Sequence, residues 1–372
     1  MNNSGFILLD KPSGISSRAA GGKVARLFSA KTFGHVGTLD PMASGLLLIA
    51  LGEATKVIPY LEGMKDEGRG MKEYEFEIEW GIKTDTDDIT GKVINKTDSS
   101  LIPHPSSLRE ACASLIGEIE QTPPAYSAIH VNGKRAYELA RRGAEFEIPK
   151  RMVKIYSLEL IPETKFPFAG ETNLPAGRGG LANFEMKEEK KFRQTITSLA
   201  KPPRPRKPAP ATPPMEGNLD RVVFKVQCST GTYVRSLVQQ IAKKIEELHP
   251  SSSIHHPLLA TCSMIRRTRT NGLDIKNSVA LDFLENLFNN KGRDAISDYL
   301  HPVDFGLGDI PVWNLIDNDD ARLFQNGGFI STVNRTLEIE NELVRVYSNN
   351  GFIGIGRVEK GALKPKRIIN VD

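Results

Sequence analysis

Lys72-Glu73-Tyr74-Glu75-Phe76-Glu77-Ile78-Glu79-Trp80 alternates strictly: Tyr74, Phe76, Ile78 and Trp80 fall on one face and the glutamates on the other. A period of two belongs to a strand, and a strand with one apolar and one charged face suits an antiparallel or mixed sheet. A doubly wound parallel sheet would bury both faces and read as a continuous apolar run. The stretch therefore sets the class as α+β.

Outward from it, Gly5 to Leu9 reads as a buried strand that ends in the turn cluster Asp10-Lys11-Pro12-Ser13-Gly14, and Ser16 or Ser17 caps a helix reaching about Phe28. Leu46 to Leu51 is a second apolar strand, followed by a helix from about Glu53 to Leu61. Downstream the pattern predicts a helix near Ser106 to Ile116, a short basic helix over Arg135 to Arg142, strands at Val153 to Leu160 and Arg221 to Cys228, and a helix over Thr232 to Leu248. These elements make one domain over residues 1–300. After His301-Pro302 the texture changes to short strands, Leu343 to Tyr347, Phe352 to Val358 and Arg367 to Val371, punctuated by Gly351, Gly354, Gly356 and Gly361. Residues 301–372 thus form a small, mostly β module.

Within the larger domain lies an insertion of about 170–217. Its stretch Lys-Pro-Pro-Arg-Pro-Arg-Lys-Pro-Ala-Pro-Ala-Thr-Pro-Pro at 201–214 can enter neither helix nor ladder and reads as polyproline II or disordered chain. It is either a basic arm for RNA phosphates or a tolerated surface insertion. The second is favoured, because loop closure entropy grows slowly with length.

Composition narrows the function classes. The chain has 372 residues, 25% charged and 39% hydrophobic, which is ordinary for a soluble globular protein. Its longest apolar run, Leu46 to Leu51, is far short of the roughly 20 residues a membrane span needs. Met1-Asn2-Asn3-Ser4-Gly5 carries no basic n-region, so the expected location is the cytoplasm. Cys112, Cys228 and Cys262 are scattered and odd in number, which favours reduced thiols over disulfides or a zinc site. The net charge of +4 is compatible with nucleic acid but does not demand it.

One carboxylate stands apart. In Gly34-His35-Val36-Gly37-Thr38-Leu39-Asp40-Pro41-Met42-Ala43-Ser44-Gly45-Leu46-Leu47, Asp40 sits after two glycines that permit close approach, and Pro41 biases it toward extended backbone. An isolated Asp-Pro is more often a turn former or helix N-cap. The whole segment, however, resembles the catalytic motif of the TruB family of tRNA pseudouridine synthases. Other pseudouridine synthase families share a shorter Leu-Asp and Ser-Gly-Leu-Leu core; Gly-Thr-Leu-Asp-Pro points to this branch.

That resemblance extends over about residues 5–165 and 220–372 and implies roles for further residues. Cys228-Ser229-Thr230-Gly231-Thr232-Tyr233-Val234-Arg235 is similar to the family's second motif, in which the arginine pairs with the catalytic aspartate and the tyrosine packs in the pocket. Arg235 would then hold Asp40 ionised through a charge-assisted fork. Tyr74, in Lys72-Glu73-Tyr74, reads as a core aromatic from its strand face alone; the resemblance makes it the ring that stacks on the target base, its hydroxyl placed to help move the proton from C5. His35 is implied as the group that displaces the target nucleotide from its loop, a substrate-binding role, with a structural histidine as the alternative. Arg135, Arg141 and Arg142, between Gln121-Thr122-Pro123-Pro124 and Lys150-Arg151, resemble an RNA-gripping insertion of about 121–155, and Ile265-Arg266-Arg267 adds Arg266 as a candidate RNA contact. Residues 301–372 look like a PUA-type RNA-binding domain.

Asp85-Thr86-Asp87-Asp88 raises a metal reading, but a calcium loop would need Gly at Thr90 and Glu at Lys96. His255-His256 are adjacent and would point apart on a strand, a poor metal pair. No metal and no cofactor are expected. The expected reaction is isomerisation of uridine to pseudouridine at position 55 in the T-loop, with tRNA, gripped by its T-arm, as partner and no obligatory protein subunit. A non-catalytic tRNA-binding or tRNA-folding module and a guide-RNA-dependent synthase are the alternatives.

Overall fold

The computed structural model describes residues 3–63, 70–97, 103–131, 133–161, 221–250, 257–332 and 341–370. The insertion of about 170–217 and the pair His255-His256 lie outside the described residues. In chain order the larger sheet draws on β1 (Gly5–Lys11), β2 (Phe33–Val36), β3 (Ser44–Leu51) and β4 (Lys72–Trp80). A small hairpin, β5 (Ile82–Thr84) and β6 (Val93–Lys96), precedes β7 (Gly117–Gln121), and a second, β8 (His130–Val131) and β9 (Lys134–Arg135), precedes β10 (Arg151–Leu160). β11 (Arg221–Cys228), β12 (Ala260–Thr270), β13 (Leu273–Asp274) and β14 (Val279–Ala280) complete it.

The strand order is β14-β1-β3-β12-β4-β11-β10-β7, with β2 on β3 and β13 on β12. Only β1/β14 and β3/β12 run parallel; the remaining pairs are antiparallel. The sheet is therefore mixed and mainly antiparallel, as the alternation of Lys72–Trp80 requires. That strand lies near the middle of the sheet, between β12 and β11.

Helices α1 (Ser17–Leu27), α2 (Ile58–Gly63), α3 (Pro105–Ser114), α4 (Ala136–Arg141), α5 (Val234–Leu248) and α6 (Leu281–Lys291) follow in chain order, with α7 (Asn318–Gln325) in the C-terminal part. Val24 of α1, Leu108 of α3, Leu237 and Ile241 of α5 and Leu284 of α6 pack with Phe76, Ile78 and Trp80 in one core. Phe76 stacks on Phe224 of β11 with ring centroids 5.2 Å apart. Ser16 caps α1, its hydroxyl accepting from the Ala19 N–H at 3.1 Å.

Sequence and structure part at three places. Glu73, expected on the wet face, is 4% exposed; Lys225, Gln227 and Thr268 surround its carboxylate, so a central strand buries an acid by giving it partners. The single helix expected from Glu53 to Leu61 is a 3-10 turn, Gly52–Val57, followed by α2. Pro59 explains the break, since it has no N–H to bond back to Thr55. The last strand is not Arg367 to Val371 but β19 (Ala362–Ile368). Pro365 is accommodated because β19's outer neighbour pairs only with Ala362 and Leu363, so the missing N–H faces an open edge.

The second sheet has the order β15-β17-β18-β19-β16, from β15 (Val312–Asn314), β16 (Ile330–Ser331), β17 (Leu343–Ser348), β18 (Gly351–Glu359) and β19. It is joined to the first by a shared apolar cluster. Phe6, Leu8, Leu46 and Leu48 pack with Leu307, Ile355 and Ile369 on the face of β1 and β3 opposite α1. Because Leu47, Ile49 and Leu51 face the helices, β3 is buried on both sides, which accounts for its unbroken apolar run.

Candidate active site

Asp40 lies in the loop between β2 and β3, and four groups from the β1–α1 segment fix that loop. The Ser17 hydroxyl donates to the Leu39 carbonyl at 3.0 Å and accepts from the Leu39 N–H at 2.9 Å. Ser13 Oγ donates to Met42 O at 2.7 Å, and the Gly14 N–H to Pro41 O at 2.8 Å. Lys11, with no exposed surface, donates through Nζ to Pro12 O at 2.9 Å and Ile15 O at 2.7 Å, with Pro41 O at 3.5 Å. Burial pushes the Lys11 ammonium down to about 8, with Asp40 acting against that fall. Glycine is required just beyond the loop: Gly45 has φ of +102°, and a Cβ there would lie 2.3 Å from the Arg267 carbonyl oxygen.

The expected ion pair is present. Arg235 opens α5, and its Nη2 lies 2.8 Å from Asp40 Oδ2. The same guanidinium reaches Asp88 Oδ2 through Nη1 at 3.3 Å and donates to Thr86 O and Tyr126 O at 3.0 Å each. Arg235 is 3% exposed, whereas the Asp40 side chain is 35% exposed, so the arginine is locked and the acid opens to solvent. Burial raises the Asp40 carboxyl above its ordinary value; Arg235 draws it down, and Asp88 lifts it further. Arg235 thus acts in the expected direction, and burial outweighs it.

Tyr74 is 7% exposed and sits in the main core, its hydroxyl beside the Arg267 guanidinium and within the field of Asp40; burial raises its phenol. His35 is half-buried on β2, and its Nδ1 donates to the Gly37 carbonyl at 3.2 Å. Burial lowers the imidazole below its usual value, with the Gly37 carbonyl and Glu62 acting against that fall. Tyr233 precedes α5 with the Arg151 guanidinium 5.3 Å from its ring centroid, and its N–H donates to Gln121 Oε1 at 2.7 Å.

The basic residues divide. Arg135, Arg141 and Arg142 are exposed, Arg135 donating to Ala128 O at 3.1 Å and Arg141 lying over Tyr137. Their segment is tied to the acid through the Tyr126 carbonyl that Arg235 holds. Arg266 instead forks onto Asp10 at 2.7 and 3.1 Å. Its neighbour Arg267, fully buried, turns to the side of Tyr74 and Gly37.

Among the described residues no group of three or more His, Cys, Asp or Glu is placed to hold a metal. In Asp85-Thr86-Asp87-Asp88, Asp85 accepts from the Lys92 N–H, Asp87 pairs with Lys83, and Asp88 takes Thr86, Thr90 and Arg235. The three cysteines are free and buried, with Cys228 pushed up to about 11 and Cys112 to about 12. Among the described residues no helix is long and apolar enough to cross a membrane.

The geometry can be set beside known proteins. The family described as TruB family pseudouridylate synthase (N terminal domain) matches residues 25–173, and Pseudouridine synthase II TruB, C-terminal, matches 314–369. The tRNA pseudouridine synthase B of Caulobacter vibrioides is 31% identical over 377 residues, spanning 99% of this chain and 96% of its own. The chain belongs to the TruB family of pseudouridine synthases. The tRNA pseudouridine synthase B of Bradyrhizobium diazoefficiens is 32% identical over 369 residues, covering 99% of this chain and 86% of its own. Among solved structures, an H/ACA RNP bound to a substrate RNA containing 2′-deoxyuridine shares the fold, with a TM-score of 0.56 at 17% identity over 99% of this chain and 86% of that one.

Membership makes the chain a pseudouridine synthase, and the structure adds residues that sequence reading passed over. The run Asp85-Thr86-Asp87-Asp88 gives no sign that Asp88 pairs with Arg235, yet its oxygen completes the Arg235 fork. Arg267, not Arg266, faces Tyr74. Alternation along β12 separates the two arginines, but only the strand's neighbours decide which one turns inward.

Proposed function

We propose that this chain isomerises the uridine at position 55 in the T-loop of tRNA, with Asp40 initiating the break of the glycosidic bond. The single observation that carries this reading is the 2.8 Å pair between a partly exposed Asp40 and a buried Arg235 that Asp88, Thr86 and Tyr126 hold in place. An acid whose counterion cannot move keeps its orientation through the reaction, which is how an ionised group acts without reorganising solvent. In the isomerisation the bond from N1 to C1′ breaks, the base turns, C5 bonds to C1′, the C5 proton leaves and N1 gains one. No electrons are exchanged, so the chemistry needs only an acid, a base-stacking surface and proton transfer. Asp40 acts as nucleophile or as the base that starts cleavage. Tyr74 stacks on the uracil, and His35 fills the space the flipped nucleotide leaves, offsetting a few kcal/mol of unstacking.

Arg135, Arg141 and Arg142 supply exposed charge for the RNA backbone, which suits contacts that position without reading sequence. The names of the relatives and the paired N- and C-terminal matches support tRNA as the substrate, encountered in the cytoplasm. The test is incubation of the purified protein, without guide RNA, with an unmodified T-arm hairpin, followed by carbodiimide-blocked primer extension. A single stop at the T-loop uridine is expected. Modification at another uridine would overturn the substrate reading, and modification only on addition of a guide RNA would favour the guided alternative.

A further inference from the structure

Beside the Asp40 loop a cavity of about 480 Å³ is lined by Gly37, Glu62, Lys72, Lys150, Arg151, Thr230, Gly231 and Asn271 among others. Its charge is out of balance. Lys150 is taken by Glu120 at 2.7 Å, and Glu62, the acid in the lining, accepts the Gly37 N–H at 3.1 Å. Arg151 lies over Tyr233 with its Nε buried and unbonded. The Lys72 ammonium, at the start of β4, makes no hydrogen bond or ion pair with a described residue, and Glu62 acts on it only through its field. Beneath Gly37, Arg267 donates through Nε to Leu46 O at 2.7 Å and faces the Tyr74 hydroxyl, while its buried Nη1 and Nη2 lack a hydrogen bond of good geometry.

Gly37 brings these groups to one point. Its φ is +65°, and a Cβ there would stand 3.2 Å from Arg267 Nη1 and 3.4 Å from Lys72 Nζ. Without that Cβ, the Lys72 ammonium and the buried Arg267 guanidinium both close on the backbone of Gly37, and of the two it is Lys72 that lines the cavity. Desolvated cations without an anion are costly, and a protein keeps them where a ligand supplies the charge. Burial and the nearby Arg267 lower the Lys72 ammonium to about 8, the cost that an arriving anion would relieve.

We infer that Lys72 and Arg151, backed by the charge of the buried Arg267, form a binding site for one RNA backbone phosphodiester adjacent to the flipped nucleotide. The site rests on the RNA-modifying function proposed above. A phosphodiester fits the donor set: the Lys72 and Arg151 cations on the wall, beside the backbone of Gly37 and Gly231, suit a tetrahedral oxyanion group. The cavity lies beside Asp40 rather than around it, so the nucleotide can present its base to the acid while its phosphate is gripped here.

The test uses Lys72→Met, which keeps the length of the side chain and removes its charge, with Lys72→Arg as the charge-retaining control. Binding of the T-arm hairpin is followed by fluorescence anisotropy across a salt series, and again with hairpins carrying a single methylphosphonate at each T-loop position in turn. Lys72→Met is expected to weaken binding about tenfold and to reduce the slope of log K against log salt by about 0.7–0.9, while Lys72→Arg restores most of both. For the wild type, one methylphosphonate position next to the target uridine should cost about tenfold, and that position should cost Lys72→Met nothing further. Equal losses for both proteins at every position, or an unchanged salt slope, would overturn the phosphate site. Because these readouts are of binding, a wild type that binds the hairpin but forms no pseudouridine would overturn the enzymatic reading alone.

Discussion

At the scale of single residues, the site is a shared arginine. Arg235 serves two carboxylates, and they do not serve it equally: Asp88 is 6% exposed and hydrogen-bonded by Thr86 and Thr90, whereas Asp40 is open. Asp88 therefore helps fix Arg235, and its negative charge raises the carboxyl of Asp40. The pH dependence follows from the sign of that effect. In the mechanism proposed above Asp40 acts ionised, so activity is expected to fall as pH drops through its raised pKa. Removing the Asp88 charge lowers that pKa, and the acid limb of a kcat/KM profile for Asp88→Asn is expected to move to lower pH, with a reduced plateau from the loosened arginine. An acid limb that stays in place or moves upward would show that Asp88 does not act on Asp40. Asp40 and Arg235 were legible from their motifs because each stands in a run of fixed spacing. The contacts of Asp88 and Arg267 were not, since each meets a partner far away in the chain: Arg235 lies well over a hundred residues beyond Asp88, and Arg267 meets the backbone of Gly45 across strands β3 and β12.

At the scale of elements, the Asp40 loop is held by the start of α1 as much as by its own residues. Ser17 satisfies both backbone groups of Leu39. Ser17→Ala strands a buried N–H and a buried carbonyl, and should cost about 1–3 kcal/mol in denaturant unfolding. It should also lower kcat more than it raises KM, because the acid is misplaced while the RNA-binding surface is untouched. Unchanged kcat with lowered stability would make Ser17 purely structural. Helix and strand positions were mostly readable from periodicity, as β4, β11 and α5 demonstrate. The misses had local physical causes: Pro59 divides a helix, and Pro365 is tolerated because its N–H side faces an edge. Buried Glu73 is different, since only its partners on β11 and β12 reveal why an acid faces inward.

At the scale of the whole molecule, the two sheets share apolar surface. Phe6 exchanges backbone hydrogen bonds with His301 at 2.8 Å each way, and Glu53 accepts from the Asn370 N–H at 2.8 Å. With Ile355 and Ile369 buried against Phe6 and Leu48, unfolding either sheet exposes the other's core. A single calorimetric transition is expected, with calorimetric and van't Hoff enthalpies equal, and Ile369→Ala should lower the whole transition by about 2–5 kcal/mol. Two separated transitions would contradict a shared core. The sequence announced a change of texture near His301, but periodicity says nothing about which faces meet, so the contact between the sheets was not legible. The most direct measurement of the central claim is Asp40→Asn on an unmodified T-arm hairpin, with pseudouridine yield and hairpin affinity read together. Loss of pseudouridine with affinity close to wild type is the predicted result; turnover comparable to wild type would contradict the account.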